Sequence, residues 1–501
     1  MRCAAETLRR SGVIAGFFVL AGIAHADVGA RAVDSLTVEP YVLRTFDGVE
    51  HAAELGSFRV PEDRGHPVRY IRLRFVRLRS SAAHPKPPIV FLSPGPGVPA
   101  TALARTPVYY ALFERLRSIG DVILLDQRGM GMSSVEVAPI AVPIPPDVFM
   151  SADRLLEAME KSLAASADGH RTAGIDVSSY TTSSNADDVD DLRRVLGAER
   201  CSLLGFSYGT SLALATASRH PEGIDRMVLA GVQGPDQLLV RPSVWDAQIH
   251  RLSPLAARDT ALVGVAPLDS LFRAALERFR SGVLYHVRDP VSNQPVEITV
   301  GEAGLLYALR DRLNNRSIPL LPALLRALSV GDTALTVSMF ESAYAGLRKG
   351  LSATDLALSL SLGWTEKRWR EVRADSLRSR MNLVNLQWNP RLRSLLGLSE
   401  QPEFVTPIRS DRPTLFVSGT LDCNTPPDDA KEVARGFKNG VQVLVENGGH
   451  ETLPASPVQD LVVRFLSEEA IPPGEHVTLP APTFVPLDRA NDALRSGGGR
   501  H

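Results

Sequence analysis

Short runs made largely of apolar residues recur along the chain, and each is bounded by polar residues, glycine or proline. They occupy residues 88–92, 121–125, 201–204, 226–230, 413–417 and 441–445. Continuous apolar runs of this length are typical of strands that are buried on both faces of a parallel sheet. A further stretch, 68–78, alternates apolar and basic residues, which predicts a strand with one exposed face.

Segments with helical periodicity separate several of the predicted strands. In the clearest one, 186–196, apolar residues recur every three or four positions, and Gly197 can end the helix. Ser184 and Asp187 fit a capping box at its start. Strands that alternate with such helices predict a doubly wound, mostly parallel sheet.

The strand pattern fades in the second half of the chain. Residues 238–404 are rich in leucine, alanine and arginine and read mostly as helices. We therefore expect an α/β core in two parts, 27–237 and 405–470, with a mainly helical lid at 238–404 inserted before the last core strands. Residues 471–501 begin rich in proline and contain three consecutive glycines close to their end, which predicts a flexible C-terminal tail.

The first 26 residues have the organisation of a secretory signal. Arginines at positions 2, 9 and 10 precede the apolar run 13–24, and an A-x-A cleavage site follows at 24–26. The apolar run is too short for a membrane-spanning helix, which needs roughly 20 residues. We expect cleavage after Ala26 and a periplasmic or secreted protein without a stable membrane anchor.

The composition is that of an ordinary globular protein, although its cysteine content is low for an exported one. The chain has 501 residues, of which 44% are hydrophobic and 22% charged. Its 55 basic and 56 acidic residues almost cancel, so no electrostatic footprint for nucleic acid is present. Cys3 lies in the predicted signal, which leaves Cys201 and Cys423. We expect these two at opposite ends of the sheet and therefore unpaired.

Residues 205–209 have the sequence Gly-Phe-Ser-Tyr-Gly and match the G-x-S-x-G pattern. They directly follow the predicted strand 201–204 and precede a helical stretch at 212–218, which is the context of a nucleophile elbow. Small residues two positions away allow a sharp turn that exposes the serine Oγ above the sheet. The pattern predicts Ser207 as a nucleophile, which a neighbouring base must deprotonate before it attacks a carbonyl.

The acid and the base of such a triad follow the nucleophile in chain order, each after a later strand. Asp422 comes after the predicted strand 413–417. Asp428 and Asp429 are the alternatives, but they follow two prolines and fit the acidic start of a helix. His450 follows strand 441–445 and two glycines. We predict that His450 is the general base and that Asp422 orients it, with no metal or cofactor required.

An oxyanion hole needs two backbone N–H donors, one from the residue after the nucleophile and one from the loop after an earlier strand. Tyr208 fits the first position. The second donor is expected in the loop 93–97, Ser-Pro-Gly-Pro-Gly, and Gly95 is preferred there because proline has no N–H.

Four blocks of the chain resemble the proline iminopeptidase and tripeptidyl aminopeptidase branch of the α/β-hydrolase serine peptidases. Residues 93–97 resemble the family's H-G-G-P-G loop, and residues 126–131 resemble D-Q-R-G-x-G. The other two blocks are the Ser207 elbow and the pair Asp422 and His450. The resemblance implies an α/β-hydrolase fold and release of amino-terminal residues or short peptides. It also implies lid carboxylates that hold the substrate ammonium, and Glu366 is the candidate.

Two features keep other functions open. Ser93 and Pro94 stand where the family has histidine and glycine, and the lid is rich in arginine between 367 and 380. An esterase or amidase that acts on small molecules with the same triad is the main alternative, followed by a catalytically silent binding protein. For Asp126 and Arg128 we favour a structural role, in which the two buried charges satisfy each other.

Overall fold

A computed structural model describes residues 34–489, apart from 134–136, 138–139, 314 and 399–403. The predicted signal, 1–26, lies outside the described residues. The strands are β1 (Asp34–Arg44), β2 (Glu50–Pro61), β3 (Tyr70–Leu78), β4 (Ile89–Leu92), β5 (Val122–Asp126), β6 (Cys201–Phe206), β7 (Ile224–Ala230), β8 (Val283–Arg288), β9 (Pro295–Val300), β10 (Thr414–Gly419), β11 (Gly440–Glu446) and β12 (His476–Thr478).

Helices follow most of the core strands and make up most of the long segment between β7 and β10. They are α1 (Ala100–Leu103), α2 (Pro107–Leu116), α3 (Ala152–Thr172), α4 (Thr182–Val195), α5 (Tyr208–Arg219), α6 (Pro242–Arg258), α7 (Leu268–Phe279), α8 (Glu302–Leu309), α9 (Leu321–Val330), α10 (Thr333–Arg348), α11 (Ala353–Leu360), α12 (Glu366–Ser376), α13 (Pro390–Leu395), α14 (Pro427–Ala434) and α15 (Ser456–Leu466).

Ten of the described strands form one sheet, in the order β1-β2-β3-β5-β4-β6-β7-β10-β11-β12. The pairs from β1 to β5 are antiparallel, and those from β5 to β12 are parallel. Apolar side chains of α2 and α15 pack on one face of the sheet, and those of α4, α5 and α14 pack on the other. The prediction of a mostly parallel, doubly wound sheet is confirmed, and each predicted strand is present.

Three sets of strands were not predicted from the sequence. The hairpin of β1 and β2 extends one edge of the sheet, and β8 and β9 form a separate hairpin within the segment predicted as a helical lid. At the other edge, β12 pairs in parallel with β11. The prediction of a flexible tail from residue 471 is therefore wrong up to at least Phe484, which is buried against the lid. A strand of three residues is too short to leave a periodic signal.

Helix α4 begins earlier than predicted. The hydroxyl of Thr181 accepts a hydrogen bond from the N–H of Ser184 at 3.2 Å and so caps the helix, which starts at Thr182. Asp187 consequently lies within the helix rather than at its start. There it accepts hydrogen bonds from Arg219 and His220. The predicted capping box is therefore wrong, because Asp187 bonds to side chains that the local sequence does not reveal.

The segment between β7 and β10 has an apolar core of its own, built by α6 to α10, the β8–β9 hairpin and α3. Within it, α11 docks on the α/β core: the Thr182 hydroxyl donates to the carbonyl of Leu358 at 2.9 Å, and the Thr182 N–H donates to Ser361 Oγ at 2.9 Å. A Cβ at Gly129, in the loop after β5, would lie 3.1 Å from Thr354 Cβ. Helix α11 is thus fixed against loops at the carboxyl end of the sheet.

Cys201 and Cys423 are both buried and are not bonded to each other, as predicted. They lie at opposite ends of the parallel strands, because Cys201 begins β6 and Cys423 follows the end of β10. No single helix of the described chain combines the length and apolarity needed to cross a membrane, although the bent pair Ser317–Val330 and Thr333–Arg348 meets the test jointly.

Candidate active site

Ser207 lies in a sharp turn between β6 and α5. Its φ of 54° and ψ of −121° are rare for a residue other than glycine, as expected where a turn exposes a nucleophile. The flanking glycines are required by close backbone packing. A Cβ at Gly205 would lie 2.6 Å from the carbonyl oxygen of Gly209, and a Cβ at Gly209 would collide with the carbonyl of Leu92.

The structure brings the three predicted triad residues together. His450 Nε2 lies 2.9 Å from Ser207 Oγ, and His450 Nδ1 lies 2.9 Å from Asp422 Oδ2. The side chain of Asp422 is 0% exposed and that of His450 is 9% exposed. A carboxylate can only accept hydrogen bonds, so Nδ1 carries the proton and Nε2 is left to accept from the serine hydroxyl. This is the arrangement of a nucleophile, its base and a group that orients the base.

Close backbone packing holds the acid and base loops together. A Cβ at Gly419, the last residue of β10, would collide with the carbonyl oxygens of Gly448 and Gly449. The N–H of Leu421 donates to the carbonyl of Gly448 at 2.8 Å. The glycines before His450 therefore allow the loop after β11 to lie directly against the loop after β10.

Asp422 is saturated with hydrogen-bond donors. It accepts from the backbone N–H of Asn424 at 2.8 Å, from the N–H of Thr425 at 3.0 Å and from the Thr425 hydroxyl at 2.7 Å, in addition to His450. A buried carboxylate needs such donors to offset its lost hydration. The alternative acids, Asp428 and Asp429, lie in the first turn of α14, as predicted.

Thr425 was missed by the sequence analysis. Besides its bond to Asp422, its hydroxyl oxygen lies 3.0 Å from His450 Nδ1. A threonine in a proline-containing loop carries no pattern of its own. The available signal was its spacing, since Thr, Ser and backbone N–H groups two or three residues after an aspartate often bond back to that carboxylate.

The two expected oxyanion-hole residues lie just beyond the ends of two adjacent strands, β4 and β6. Tyr208 is the first residue of α5, so its N–H has no acceptor within the helix. Gly95, with φ of 121°, lies in the loop after β4, which pairs with β6. The Tyr208 hydroxyl is 2.9 Å from Thr182 Oγ1, and burial raises the pKa of Tyr208 to about 12.

Asp126 and Arg128 are both buried, as a structural role requires, but the prediction that they pair with each other is wrong. Asp126 accepts from the N–H and hydroxyl of Thr101 and from the N–H of Met132, and burial raises its pKa. Arg128 donates to both oxygens of Asp188 at 2.7 and 2.8 Å. Asp126 ends β5 and contacts Thr101 on α1, whereas Arg128 lies two residues further on and contacts Asp188 on α4.

Gln127 connects this block to the oxyanion loop. Its Nε2 lies 3.3 Å from Ser93 Oγ, and its Oε1 accepts from Asn185 at 3.2 Å. Ser93 is fully buried. The serine that stands where the family has histidine thus forms a hydrogen bond with the D-Q-R-G segment.

A half-buried lid carboxylate, also missed by the sequence analysis, lies beside the oxyanion loop. A Cβ at Gly97 would lie 2.6 Å from Asp355 Oδ2 on α11. Burial raises the pKa of Asp355 to about 6, while a hydrogen bond with Ser352 opposes the shift. Asp355 forms no ion pair with any of the residues that the structure describes. No motif in the sequence of α11 marks Asp355. Only the fold reveals that this residue lies beside the oxyanion loop.

Glu366, the lid carboxylate suggested by the sequence, points to solvent. Its side chain is 72% exposed, at the start of α12, and it pairs with Arg370 at 3.4 Å. Of its basic neighbours, Lys367 is 84% exposed, whereas Arg368 is buried and donates to the carbonyl of Leu239. The expectation that Glu366 holds a substrate ammonium is not supported.

In the described part of the chain, no group of three or more His, Cys, Asp or Glu side chains is placed to hold a metal ion.

Two protein-family models match parts of this chain. A family model described as alpha/beta hydrolase fold matches residues 87–283, and one described as TAP-like protein matches residues 398–477. The first match contains the Ser207 elbow, and the second contains Asp422 and His450.

Curated relatives are similar over different lengths. The protein YuaR of Escherichia coli (strain K12) is 26% identical over 93% of this chain and 96% of its own length. A proline iminopeptidase of Xylella fastidiosa (strain 9a5c) is 31% identical over 18% of this chain and 33% of its own length. A tripeptidyl aminopeptidase of Streptomyces coelicolor is 27% identical over 38% of this chain and 36% of its own length. The match to each of these two peptidases therefore spans about a third of its length.

Proposed function

Because the chain is a hydrolase of the α/β-hydrolase superfamily, in the branch of the proline iminopeptidases and tripeptidyl aminopeptidases, we propose that it is a serine aminopeptidase. It removes amino-terminal residues or short peptides through an acyl-enzyme. The observation that carries the proposal is the continuous hydrogen-bonded line from Ser207 through His450 to Asp422, with both links at 2.9 Å.

In the proposed reaction, Ser207 Oγ attacks the carbonyl carbon of the scissile bond while its proton passes to His450 Nε2. The carbonyl oxygen becomes negatively charged and accepts hydrogen bonds from the N–H groups of Tyr208 and Gly95. His450 then gives the proton to the leaving amine, the C–N bond breaks, and the acyl group stays on Ser207. A water molecule deprotonated by His450 releases the acyl group in the reverse sequence.

Asp355 supports a preference for free amino termini. A substrate ammonium beside the Gly97 loop would supply the cation that this desolvated carboxylate lacks among the described residues. The pairing would also lower the pKa of Asp355 back towards its ordinary value. Asp355 on α11 replaces Glu366 as the proposed lid carboxylate of this chain.

The oxyanion loop gives a specific reason to keep a second candidate. Ser93 and Pro94 replace the histidine and glycine of the peptidase branch, and this loop faces the reacting carbonyl in the proposed mechanism. We propose as the alternative an esterase or amidase that uses the same triad on small molecules.

A substrate panel separates the two candidates. Aminoacyl and tripeptidyl fluorogenic amides are compared with short-chain esters, using wild type and Ser207→Ala. The aminopeptidase proposal expects the amides with free amino groups to give the higher kcat/KM. Preferred turnover of esters would support the alternative, and turnover by Ser207→Ala equal to wild type would contradict both.

We propose further that the protein is exported and acts in the periplasm or outside the cell. The proposal rests on the basic, apolar and A-x-A segments of residues 1–26. Intact-mass measurement of the protein purified from its native compartment should give a chain that begins at Asp27. A chain that begins at Met1 in that compartment would contradict cleavage.

A further inference from the structure

Thr425 makes two contacts that a single hydroxyl can satisfy in only one way. Its Oγ1 lies 2.7 Å from Asp422 Oδ2 and 3.0 Å from His450 Nδ1, and the side chain is buried. A carboxylate offers no proton, so the one hydroxyl proton of Thr425 must point to Asp422. The lone pairs that remain then face the imidazole.

The imidazole must therefore carry its proton on Nδ1. With the Thr425 proton directed to the carboxylate, both Asp422 Oδ2 and Thr425 Oγ1 present acceptors to His450 Nδ1, at 2.9 and 3.0 Å. A ring protonated on Nε2 would place a lone pair against two acceptors. The tautomer that remains keeps Nε2 free to accept the Ser207 proton, which catalysis requires.

The surroundings hold this pair of contacts in place. The N–H groups of Asn424 and Thr425 fix the other oxygen of Asp422 at 2.8 and 3.0 Å. Gly231 packs against both the imidazole and the threonine. A Cβ at this position would be 3.0 Å from His450 Cε1 and 3.2 Å from Thr425 Oγ1. Threonine, imidazole and carboxylate thus have little room to rearrange.

From this geometry we propose that Thr425 is a positioning residue of the triad, whose hydroxyl fixes the Nδ1–H tautomer of His450 by donating to Asp422 and accepting from the ring. It does not touch the substrate. The inference rests on the proposed function, because it assigns a role in the same proton transfer from Ser207.

The test compares Thr425→Val, which keeps the shape and removes the hydroxyl, with Thr425→Ser, which keeps the hydroxyl. Hydrogen bonds to charged groups contribute about 1.5–3 kcal/mol, which corresponds to about 10- to 100-fold in rate. We expect Thr425→Val to lower kcat by that factor with KM unchanged, and Thr425→Ser to recover most of the rate. The low-field proton resonance of His450 Nδ1 should shift in Thr425→Val and return in Thr425→Ser.

A matched control comes from β10, the strand that leads to the acid loop. Thr414 is fully buried, and its hydroxyl donates to the carbonyl of Arg412 at 3.0 Å. Thr414→Val removes a buried hydroxyl of the same kind and should lower the Tm without moving kcat or the low-field resonance. A merely structural role of Thr425 would give the same result in Thr425→Val, with the Tm and the active fraction reduced and the resonance unmoved.

Two failures can be told apart. If Ser207→Ala keeps the hydrolytic rate, the proposed function itself is wrong. If Ser207→Ala is inactive while Thr425→Val retains the wild-type kcat and resonance, the triad stands and the role of Thr425 is overturned.

Discussion

Asp422, which is buried in the triad, and Asp355, which is half-buried beside the Gly97 loop, are two carboxylates whose surroundings differ sharply. Asp422 accepts hydrogen bonds from two backbone N–H groups, Thr425 and His450, all on the loops after β10 and β11. Asp355, on lid helix α11, has a side-chain hydrogen bond with Ser352 and no cation partner among the described residues, and burial raises its pKa to about 6.

The contrast separates a group whose hydrogen bonds are complete from one whose charge lacks a partner. A saturated carboxylate is a fixed part of the machinery, since removing it breaks several bonds at once. A desolvated carboxylate without a cation costs free energy in the absence of substrate. Such a cost is tolerated at functional sites, where a ligand offsets it. Substitutions at the two aspartates should therefore differ in both activity and stability.

The largest expected effect is on the saturated carboxylate. Asp422→Asn should lower kcat by about 10⁴-fold, because an amide at this position favours the wrong tautomer of His450. Asp429→Asn is the matched control: Asp429 was the alternative acid, and burial raises its pKa to about 7. Its kcat should change by less than about tenfold, a span of 1.4 kcal/mol. Comparable losses in the two variants would reject Asp422 as the sole acid.

The next effect concerns a carboxylate whose partner is a cation. Arg128 is fully buried and holds both oxygens of Asp188, so Arg128→Gln should lower the free energy of unfolding by about 3–5 kcal/mol. Arg194, with a side chain 44% exposed, pairs with Asp190. Arg194→Gln should cost less than about 1 kcal/mol. Urea unfolding of both variants measures the difference, and equal costs would contradict the structural role of Arg128.

Asp355→Asn should stabilise the protein, in contrast to the changes above. The pKa of Asp355 is near 6 in the folded protein against 3.8 as the ordinary value, so the folded state holds the proton more tightly. Wild-type stability from this group is therefore fully present below pH 3.8 and is lost as the pH rises through about 6. The variant should gain about 1–3 kcal/mol at pH 7.5 and almost nothing at about pH 3. A loss of stability at pH 7.5 would show that Asp355 has an internal cation partner.

The smallest effect is expected at Glu366, the exposed lid carboxylate. Its ion pair with Arg370 lies in solvent, so Glu366→Gln should change the free energy of unfolding by less than about 0.5 kcal/mol. The variant should also keep the wild-type KM for peptides with a free amino terminus. A rise in KM confined to those peptides would show that Glu366, and not Asp355, binds the substrate ammonium.

The elements predicted from sequence and those missed differ in the range of the interactions that form them. The apolar runs of β4 to β7, β10 and β11, and the order of Ser207, Asp422 and His450, follow from local pattern and chain order. Thr425 and Asp355 matter because of what the fold brings to them. Their partners lie up to 258 residues away in the sequence, since Gly97 meets Asp355, and no local period records such contacts.

The same reasoning explains the wrong partners of Asp126 and Arg128. Two opposite charges only two positions apart suggested mutual pairing, whereas in the fold Asp126 contacts α1 and Arg128 contacts α4. β12 was missed for a related reason, because its three residues gain their order from β11 rather than from their own composition.

The central claim is tested most directly by the cleavage of one short peptide amide, offered with a free and with an acetylated amino terminus, at pH 7.5. Wild type should prefer the free amine in kcat/KM, and Asp355→Asn should lose most of that preference while it cleaves the acetylated form at the wild-type rate. Equal cleavage of the two forms by wild type, or an unchanged preference in Asp355→Asn, would contradict the account.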